Sequence, residues 1–218
     1  MPAIPFSKTL QRFKGRGFKT RLLSPYDELW DRLLGVRTFG FRAAIGNSRD
    51  ANWRAQYHPT SYRHLFQLFK RVGLGPNDVF VDLGSGLGRA VFAASQLGAK
   101  RAVGVEIDPE LCGDARKNLA RSRLARRDVA FICTGAESYA FDECTVVFIF
   151  NAFGEGTLRT VVENVEASLR RIPRDVRIIY FNPFFQTPLE DSRILKRFDL
   201  WPEIVGKRYA ASFWRAGQ

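Results

Sequence analysis

Short apolar runs alternate with amphipathic segments along the chain from about residue 78 onward. Four of the runs read VFVDL, AVGVE, VVFIFN and VRIIYFN, and each is apolar at nearly every position. Strands covered by helices on both faces have this composition, whereas half-exposed strands alternate apolar and polar side chains. Because strand-like and helix-like segments alternate, the pattern predicts a parallel sheet flanked by helices.

The pattern also sets the bounds of the predicted elements. The predicted strands are 79–83, 102–106, 129–133, 146–151 and 176–182, and the predicted helices are 26–34, 60–72, 89–97, 110–121, 156–169 and 189–195. Two late runs, 201–205 and 208–214, can pair as an antiparallel hairpin. The fold class is therefore α/β. We expect a Rossmann-like, doubly wound, mostly parallel seven-stranded sheet with a C-terminal antiparallel hairpin and a basic helical N-terminal extension.

The positive charge is concentrated at the front of the chain. The 218 residues have a net charge of +12 at pH 7, and residues 1–75 hold 14 Lys and Arg against 4 Asp and Glu. We expect a basic N-terminal extension over residues 1–54 and one catalytic domain over residues 55–218. A basic extension favours acidic partners such as nucleic acid, and the alternative is a solvated basic face.

The first residues carry no clear targeting signal. The stretch MPAIPFSKTLQRFKGRGF lacks the apolar core of a signal peptide, and no run approaches the roughly 20 apolar residues that span a bilayer. It fits a basic arm, with a mitochondrial transit segment as the alternative, and we expect a cytoplasmic protein without a transmembrane segment. The three cysteines and two histidines show no C-x-x-C or H-E-x-x-H spacing, so no metal site is expected.

A glycine cluster follows the first predicted strand. The stretch DLGSGLG runs from Asp82 to Gly88 and contains Gly84, Ser85 and Gly86. Dinucleotide sites use G-x-G-x-x-G, but here the third glycine comes one residue early and Arg89 takes its place. An acid at the strand end is awkward beside a pyrophosphate and well placed beside an ammonium group. The loop therefore suits S-adenosylmethionine, whose amino-acid tail replaces the phosphates.

The second predicted strand ends in another acid. Glu106 stands at its tip, and an acid there can accept hydrogen bonds from both ribose hydroxyls of a nucleoside. The alternative is an acid that stabilises the dipole of the next helix, but Asp108 and Pro109 already suit that start. We therefore assign Glu106, with its neighbour Ile107, to the cofactor.

These residues resemble the class I S-adenosylmethionine-dependent methyltransferases. A local resemblance to the SET-less histone-lysine methyltransferases that act on nucleosomes is also present. That family has Y-G-x-T-S before a helix and then F-V-D-L-G-S-G-x-G, and this chain has YHPTS and FVDLGSGLG. The family's N-N-F element corresponds to Asn151-Ala152-Phe153, with Ala152 as a departure, and its K-P-F-like element corresponds to Asn182-Pro183-Phe184. The resemblance implies that Tyr57 and Thr60 fold over the methionine end of the cofactor.

The adenine contact departs from the usual class I pattern. These enzymes often have an acid after the third strand that touches the adenine amino group, and this chain has Gly135 there. We expect adenine to lie near backbone groups of Ala136, with Glu137 as an alternative contact.

Methyl transfer needs a nucleophile held in line with the S–CH3 bond, and positioning can supply most of the rate. Asn151 is the expected catalytic residue that accepts a hydrogen bond from an incoming amine, and Phe153 is expected to pack against the methyl group. The alternative for Asn151 is a helix cap. We expect a methyltransferase acting on an amine, with a protein lysine favoured. The alternatives are a nucleic-acid-associated binding protein and, less consistent with the loop, an NAD-type oxidoreductase.

Overall fold

The computed structural model describes residues 24–39, 58–123, 128–201 and 210–216. The helices are α1 Pro25–Leu34, α2 Tyr62–Val72, α3 Arg89–Gln96, α4 Pro109–Arg121, α5 Glu155–Arg171 and α6 Thr187–Glu190. The strands are β1 Val79–Leu83, β2 Arg101–Glu106, β3 Asp128–Cys133, β4 Val146–Phe150, β5 Arg177–Phe181, β6 Leu195–Trp201 and β7 Ala211–Ala216. One 3₁₀ turn, Ala136–Ser138, follows β3.

The seven strands form one sheet in the order β3-β2-β1-β4-β5-β7-β6. Strands β1 to β5 are parallel to their neighbours, and β7 pairs antiparallel with both β5 and β6. The predicted fold class is thereby confirmed. The strand order reverses between β1 and β4, and ligands of open α/β sheets bind at such a switch point, beyond the carboxyl ends of the strands.

Apolar side chains cover the sheet on both faces, as the continuously apolar strands predicted. Alternate residues of one strand point to opposite faces, so Phe80 of β1 belongs to one buried cluster and Val81 to the other. The first cluster lies under α2, α3 and α4, and it includes Phe69 of α2. The second lies under α5 and includes Leu158 and Val165. The two layers hold the strand tips rigidly at one edge.

The helices next to the expected cofactor site start and end at the predicted signals. Ser61 caps α2 by accepting a hydrogen bond from the backbone N–H of His64, and Gly73 ends the helix in the left-handed conformation. Asp108 caps α4 by accepting from the backbone N–H groups of Glu110 and Leu111. Asp108 therefore serves the start of α4, which leaves the acid at the tip of β2 for another role.

The C-terminal hairpin differs from its predicted position. Its first strand is Leu195–Trp201 and not 201–205, and the helix predicted at 189–195 is limited to Thr187–Glu190. Strand β6 lies at the sheet edge and most of its side chains are exposed. A strand in that position needs no continuous apolar run, so the apolar pattern could not locate it. Residues 202–209 lie outside the described residues.

Candidate active site

The glycine loop makes two close approaches that exclude side chains. Gly84 has a φ of 78°, and a Cβ there would lie 2.5 Å from the Cβ of Ala152 in the turn after β4. Gly88 has a φ of 91°, and a Cβ there would lie 2.4 Å from the Phe131 ring of β3. L-residues rarely adopt such φ values. The loop therefore lies between Phe131 of β3 and Ala152, the residue that follows Asn151.

Four backbone N–H groups of this loop are already used inside the protein. Those of Gly84 and Ser85 donate to the Val105 carbonyl at 2.8 and 3.0 Å, and that of Gly88 donates to the Ser85 carbonyl at 2.9 Å. The Gly86 N–H donates to the Glu106 carboxylate at 2.8 Å. A pyrophosphate site needs such N–H groups to point at the ligand. This loop therefore shapes a surface for a ligand without offering it an anion cradle.

Glu106 lies buried at the tip of β2 with a fixed carboxylate. Its Oε2 accepts from the Gly86 N–H at 2.8 Å, and its Oε1 accepts from the Asp108 N–H at 3.0 Å. Burial raises the pKa of Glu106, and these two N–H groups oppose that shift. Each carboxylate oxygen has a second lone pair to accept another hydrogen bond. The arrangement fits a pair of vicinal hydroxyl groups, as on a ribose.

Asp82 lies one strand away and is a second buried acid. It pairs in register with Gly104 of β2, two residues before Glu106. Burial raises the pKa of Asp82 well above its usual range, and the negative charge of Glu106 raises it further. Two carboxyl groups in one buried region favour a ligand that brings positive charge. An ammonium or sulfonium group meets that requirement and a phosphate does not.

Three other residues expected to contact the cofactor lie along the same edge. The Ser85 hydroxyl is buried and has no hydrogen-bond partner among the described residues. Ile107 follows Glu106 and is 48% exposed. Ala136 is buried at the start of the 3₁₀ turn after β3. The edge therefore offers an apolar surface next to fixed acceptors, which fits a nucleoside base beside its ribose.

The tips of β4 and β5 are joined through two asparagines. The side-chain amide of Asn182 donates to Oδ1 of Asn151 at 3.0 Å. Both residues have positive φ values, 47° for Asn151 and 54° for Asn182. Non-glycine residues in this conformation cluster at functional sites, where the surrounding structure holds them in place. Asn151 therefore has a fixed side chain and does not cap α5, whose first residue is preceded by Gly154.

Aromatic residues surround this pair, but they differ in accessibility. Phe153 is buried in the cluster under α5, so its predicted contact with the methyl group stays a prediction. On the other side, the rings of Phe150 and Phe181 lie 5.0 Å apart, and the His64 ring lies 6.0 Å from Phe181. Half-buried Phe150 precedes Asn151 in the sequence, and the half-buried His64 of α2 packs near Phe181, which precedes Asn182.

Of the two residues expected to fold over the methionine end, Thr60 is buried and its carbonyl accepts from Arg89 Nη1 at 3.5 Å. Tyr57 lies outside the described residues. The segment before α2 is thus joined to the first residue of α3, directly after the glycine loop.

Arg89 is the centre of a buried polar network that sequence reasoning missed. Its side chain is 4% exposed and lies 3.7 Å from carboxylate oxygens of Asp27 and Asp31 in α1. Its Nε donates to the Thr38 hydroxyl at 2.7 Å, and the guanidinium lies over the Tyr62 ring at 5.1 Å. The network joins α1 to the glycine loop. The sequence signal for this network was Arg89 itself, which stands where dinucleotide sites have their third glycine. An arginine that is buried there needs acidic partners.

The three cysteines differ in exposure. Cys112 and Cys144 are buried, whereas Cys133 at the tip of β3 is exposed. Within the described ranges, no three His, Cys, Asp or Glu side chains are grouped so as to hold a metal ion. In the same part of the chain, no helix has the length and apolar character needed to cross a membrane.

Comparison with known proteins identifies the family of the chain and supports its fold. A family model described as histone methylation protein DOT1 matches residues 51–197. The chain is 26% identical over 135 residues to a histone-lysine N-methyltransferase specific for H3 lysine 79 from Caenorhabditis elegans, covering 53% of this chain and 14% of that protein. It is 35% identical over 102 residues to a ribosomal protein L11 methyltransferase from Xylella fastidiosa, covering 45% of this chain and 33% of that one. The chain thus spans well under half the length of these relatives.

Solved structures support the fold. An RNA methyltransferase from Salinibacter ruber, in complex with S-adenosyl-L-homocysteine, superposes with a TM-score of 0.54 at 24% identity, covering 73% of this chain and 94% of that chain. A SAM-dependent methyltransferase from Aquifex aeolicus superposes with a TM-score of 0.58 at 13% identity, covering 70% and 89%. At these identities the likeness establishes a shared sheet topology and leaves the acceptor open.

Proposed function

Because the chain belongs to the family of the histone methylation protein DOT1, matched over residues 51–197, we propose that it transfers a methyl group from S-adenosylmethionine to an amine. The side chain of a protein lysine is the favoured acceptor. The observation that carries the proposal is the fixed Glu106 carboxylate, which accepts N–H groups from the glycine loop and from the start of α4. A ribose bound at this carboxylate places the rest of the nucleoside along the carboxyl ends of the strands.

Each residue of the edge has a role in holding the cofactor. S-adenosylmethionine supplies a methyl group on a positively charged sulfur, which leaves as a neutral thioether. Glu106 accepts hydrogen bonds from the two ribose hydroxyls, and Ile107 offers its exposed side chain to the adenine face. Asp82 lies at the methionine end, where its negative form attracts the ammonium group. The loop has glycine at Gly84, Gly86 and Gly88, and its backbone lies close to neighbouring residues. Cβ atoms at Gly84 and Gly88 would collide with these neighbours.

Asn151 orients the acceptor. Its Oδ1 accepts a hydrogen bond from the incoming amine, and the bond from Asn182 at 3.0 Å keeps that oxygen in place. Asparagine has no basic group, so it cannot remove a proton from a lysine ammonium. The acceptor must therefore arrive as the neutral amine, and its lone pair is aligned by position. Phe150 and His64 flank the approach, and an aromatic face there favours a cationic side chain before it loses its proton.

The relatives support a protein lysine without deciding the acceptor. The aligned proteins include a methyltransferase specific for histone H3 lysine 79 and one acting on ribosomal protein L11. Both names give a protein as the acceptor, and one of them gives a lysine. The RNA methyltransferase among the structural neighbours shares the fold at 24% identity and gives less support to RNA.

A labelling experiment tests this proposal. The full chain is incubated with radiolabelled S-adenosylmethionine and, in separate reactions, with core histones, nucleosomes, ribosomal proteins and total RNA. We expect label in a protein fraction and methylated lysine after digestion and mass spectrometry. The Glu106→Ala variant serves as the inactive control. Label in RNA alone, or no transfer by a protein that binds S-adenosylhomocysteine, would contradict the lysine assignment.

A second candidate function is nucleic-acid binding by the basic N-terminal region. Residues 1–23 contain six Lys and Arg and no Asp or Glu. Such a segment binds phosphates with a strong dependence on salt. A variant that lacks residues 1–23 keeps the complete sequences of α1 and of the catalytic domain. It should weaken binding to a DNA or RNA duplex and flatten the salt dependence, while S-adenosylhomocysteine binding is unchanged. Equal duplex binding by both forms would remove this candidate.

A further inference from the structure

The C-terminal ends of α1 and α4 lie next to each other. The backbone N–H of Arg123, two residues after α4, donates to the carbonyl of Leu34, the last residue of α1, at 2.8 Å. The Arg123 Nη1 also donates to the Arg32 carbonyl at 3.3 Å. Two helices that are far apart in the sequence therefore end at one place.

A buried asparagine connects this place to the segment that follows α1. The Asn118 residue of α4 is 1% exposed. Its Oδ1 accepts from the Arg37 N–H at 2.9 Å, and its Nδ2 donates to the Arg37 carbonyl at 3.0 Å. The same Oδ1 accepts from Arg121 Nε at 3.1 Å. The same Nδ2 donates to the Leu87 carbonyl of the glycine loop at 3.0 Å. These bonds set the position of Arg37 relative to α4.

The residues brought together in this way carry a dense positive charge. Five cations at exposed positions form a set that we call the arginine surface: Arg32, Arg37, Lys117, Arg121 and Arg123. Along the sequence, residues 116–127 contain six Lys and Arg and no Asp or Glu. The dipoles of the two helices account for a cation at each C-terminal end, but not for five. Like charges four residues apart, as at positions 117 and 121, destabilise a helix slightly.

Three of these five cations have no acidic partner. The other two pair with acids of their own helices. In the part of the chain that the structure describes, Arg37, Arg121 and Arg123 form no ion pair. Arginines elsewhere on the described surface do form such pairs, for example Arg101 with Glu143 at 2.9 Å. The arginine surface therefore presents positive charge that the protein itself does not neutralise.

The backbone of a nucleic acid has the chemistry that fits this surface. It presents phosphates at short, regular intervals, about one negative charge per 1.7 Å of duplex axis. Arginine binds a phosphate through two parallel N–H···O bonds, and four of the five cations are arginines. A row of phosphates can contact several of them at once and releases bound counterions when it does so.

We propose that the arginine surface binds the phosphate backbone of a nucleic acid, as a docking site separate from the cofactor edge. The site consists of residues of α1, of α4 and of the segments that follow them. It differs from the candidate role of residues 1–23, which precede α1, and it does not depend on the proposed methyl transfer. Because Asn118 also bonds the glycine loop, a nucleic acid docked here lies against the catalytic domain itself.

Fluorescence anisotropy with the full chain tests the site. The probes are a labelled DNA duplex of about 20 base pairs and an RNA duplex of the same sequence, at about 50 to 200 mM KCl. The triple variant Arg37→Gln, Arg121→Gln, Arg123→Gln removes the three unpaired cations. We expect its affinity to fall by about 10-fold to 100-fold near 100 mM salt. The slope of log affinity against log salt should become shallower by about 2 to 3, since each phosphate contact contributes about 0.9.

A second triple variant has the same change in net charge at a distance from the arginine surface. It combines Arg159→Gln and Arg170→Gln of α5 with Arg197→Gln of β6, and each of these arginines pairs with an acid. Helix α5 covers the other face of the sheet, and β6 lies at the sheet edge. Duplex binding by this variant should stay within about twofold of the wild type. Thermal melting checks that both variants are folded.

The outcomes either support or contradict the arginine surface. Loss of duplex binding in the first variant alone supports it, and the duplex with the larger loss identifies the nucleic acid. A wild type that binds neither duplex contradicts it, as does an equal loss in both variants, because binding would then follow net charge. Equal binding of polyglutamate would contradict a phosphate site. A loss on deletion of residues 1–23 without a loss in the first variant would assign the binding to those residues. S-adenosylhomocysteine titration tests the proposed function separately.

Discussion

The side-chain amide of Asn182 donates a hydrogen bond to Oδ1 of Asn151 at 3.0 Å, and both residues have left-handed backbone conformations. The tips of β4 and β5 are therefore joined at the point where we propose that the acceptor meets the methyl group. The glycine loop reaches the same point, because Gly84 packs against Ala152. The glycine loop and the proposed acceptor-binding residues thus meet at the turn after β4.

Two substitutions of Asn151 separate its side chain from its backbone. Asn151→Gly removes the amide and keeps the positive φ without strain, whereas Asn151→Ala removes the amide and adds strain. We expect both to lower turnover by about 10-fold to 100-fold, the value of one positioning hydrogen bond, with little change in cofactor affinity. Asn151→Ala should lower the free energy of unfolding by about 1 kcal/mol more than Asn151→Gly does, because only alanine adds backbone strain.

Asn182 provides the matching control for that experiment. Asn182→Gly leaves Asn151 in place and removes the bond that holds its oxygen, so turnover should fall by less than in Asn151→Gly. Single-turnover rates with saturating cofactor measure both effects. Equal losses of turnover and cofactor affinity in Asn151→Gly would show that the residue binds the cofactor and does not orient the acceptor.

The raised pKa of Asp82 predicts a pH-dependent affinity. Burial and the charge of Glu106 favour the protonated form of Asp82 in the free protein. A ligand ammonium favours the ionised form, so binding releases a proton and affinity rises with pH, by at most about tenfold per pH unit. Titration of S-adenosylhomocysteine in buffers of different ionisation enthalpy measures the released proton. Asp82→Asn should release none, and a wild type that releases none would contradict the ammonium contact.

The same shift has a consequence for stability with a definite sign. The folded-state pKa of Asp82 lies above the unfolded value of about 3.9, so the folded state binds more protons between the two. The free energy of unfolding therefore falls as pH rises from about 4 through this interval. Asp82→Asn removes this loss, and chemical denaturation at several pH values should show a flatter profile for the variant than for the wild type.

Arg89 is expected to be the most important charged residue for stability. Its guanidinium is buried between Asp27, Asp31 and Tyr62, and its removal leaves two buried carboxylates without their cation. Breaking a buried pair in this way costs about 3 to 5 kcal/mol. Arg89→Ala should therefore lower the free energy of unfolding by that amount in urea denaturation.

A surface ion pair within α1, the helix that carries Asp27 and Asp31, supplies the comparison. Arg32 pairs with Glu28 at 2.5 Å, with the two side chains 75% and 46% exposed. Arg32→Ala should cost about 0.5 kcal/mol or less. If both variants lost the same small amount, the contact of α1 with the glycine loop would contribute little to the fold.

The sequence was most informative where one local pattern determined the structure. Strand β1 was predicted with its observed bounds, because five apolar or strand-tip residues precede a glycine loop that must turn. Asp108 and Pro109 predicted the start of α4 for an equally local reason. Glu106 could be assigned to a ligand once the helix start had its own cap.

Features that depend on distant partners could not be found in this way. The acids that pair with Arg89 lie about sixty residues before it, and no periodic pattern connects them. Asn182 was recognised within a short motif, but its bond to Asn151 depends on the pairing of β4 with β5. Strand β6 was missed because an edge strand keeps polar side chains.

Calorimetric titration of S-adenosylhomocysteine into the full chain tests the central claim most directly. The variant Glu106→Ala is measured alongside, with Glu163→Ala, which removes an exposed acid of α5, as the control. Glu106 is expected to make two charged hydrogen bonds to the ribose, so Glu106→Ala should weaken binding by about 100-fold or more, whereas Glu163→Ala should not change it. Wild-type binding with this loss in Glu106→Ala is the predicted result. A wild type that binds no S-adenosylhomocysteine at millimolar concentration, or a Glu106→Ala variant with unchanged affinity, would contradict the account.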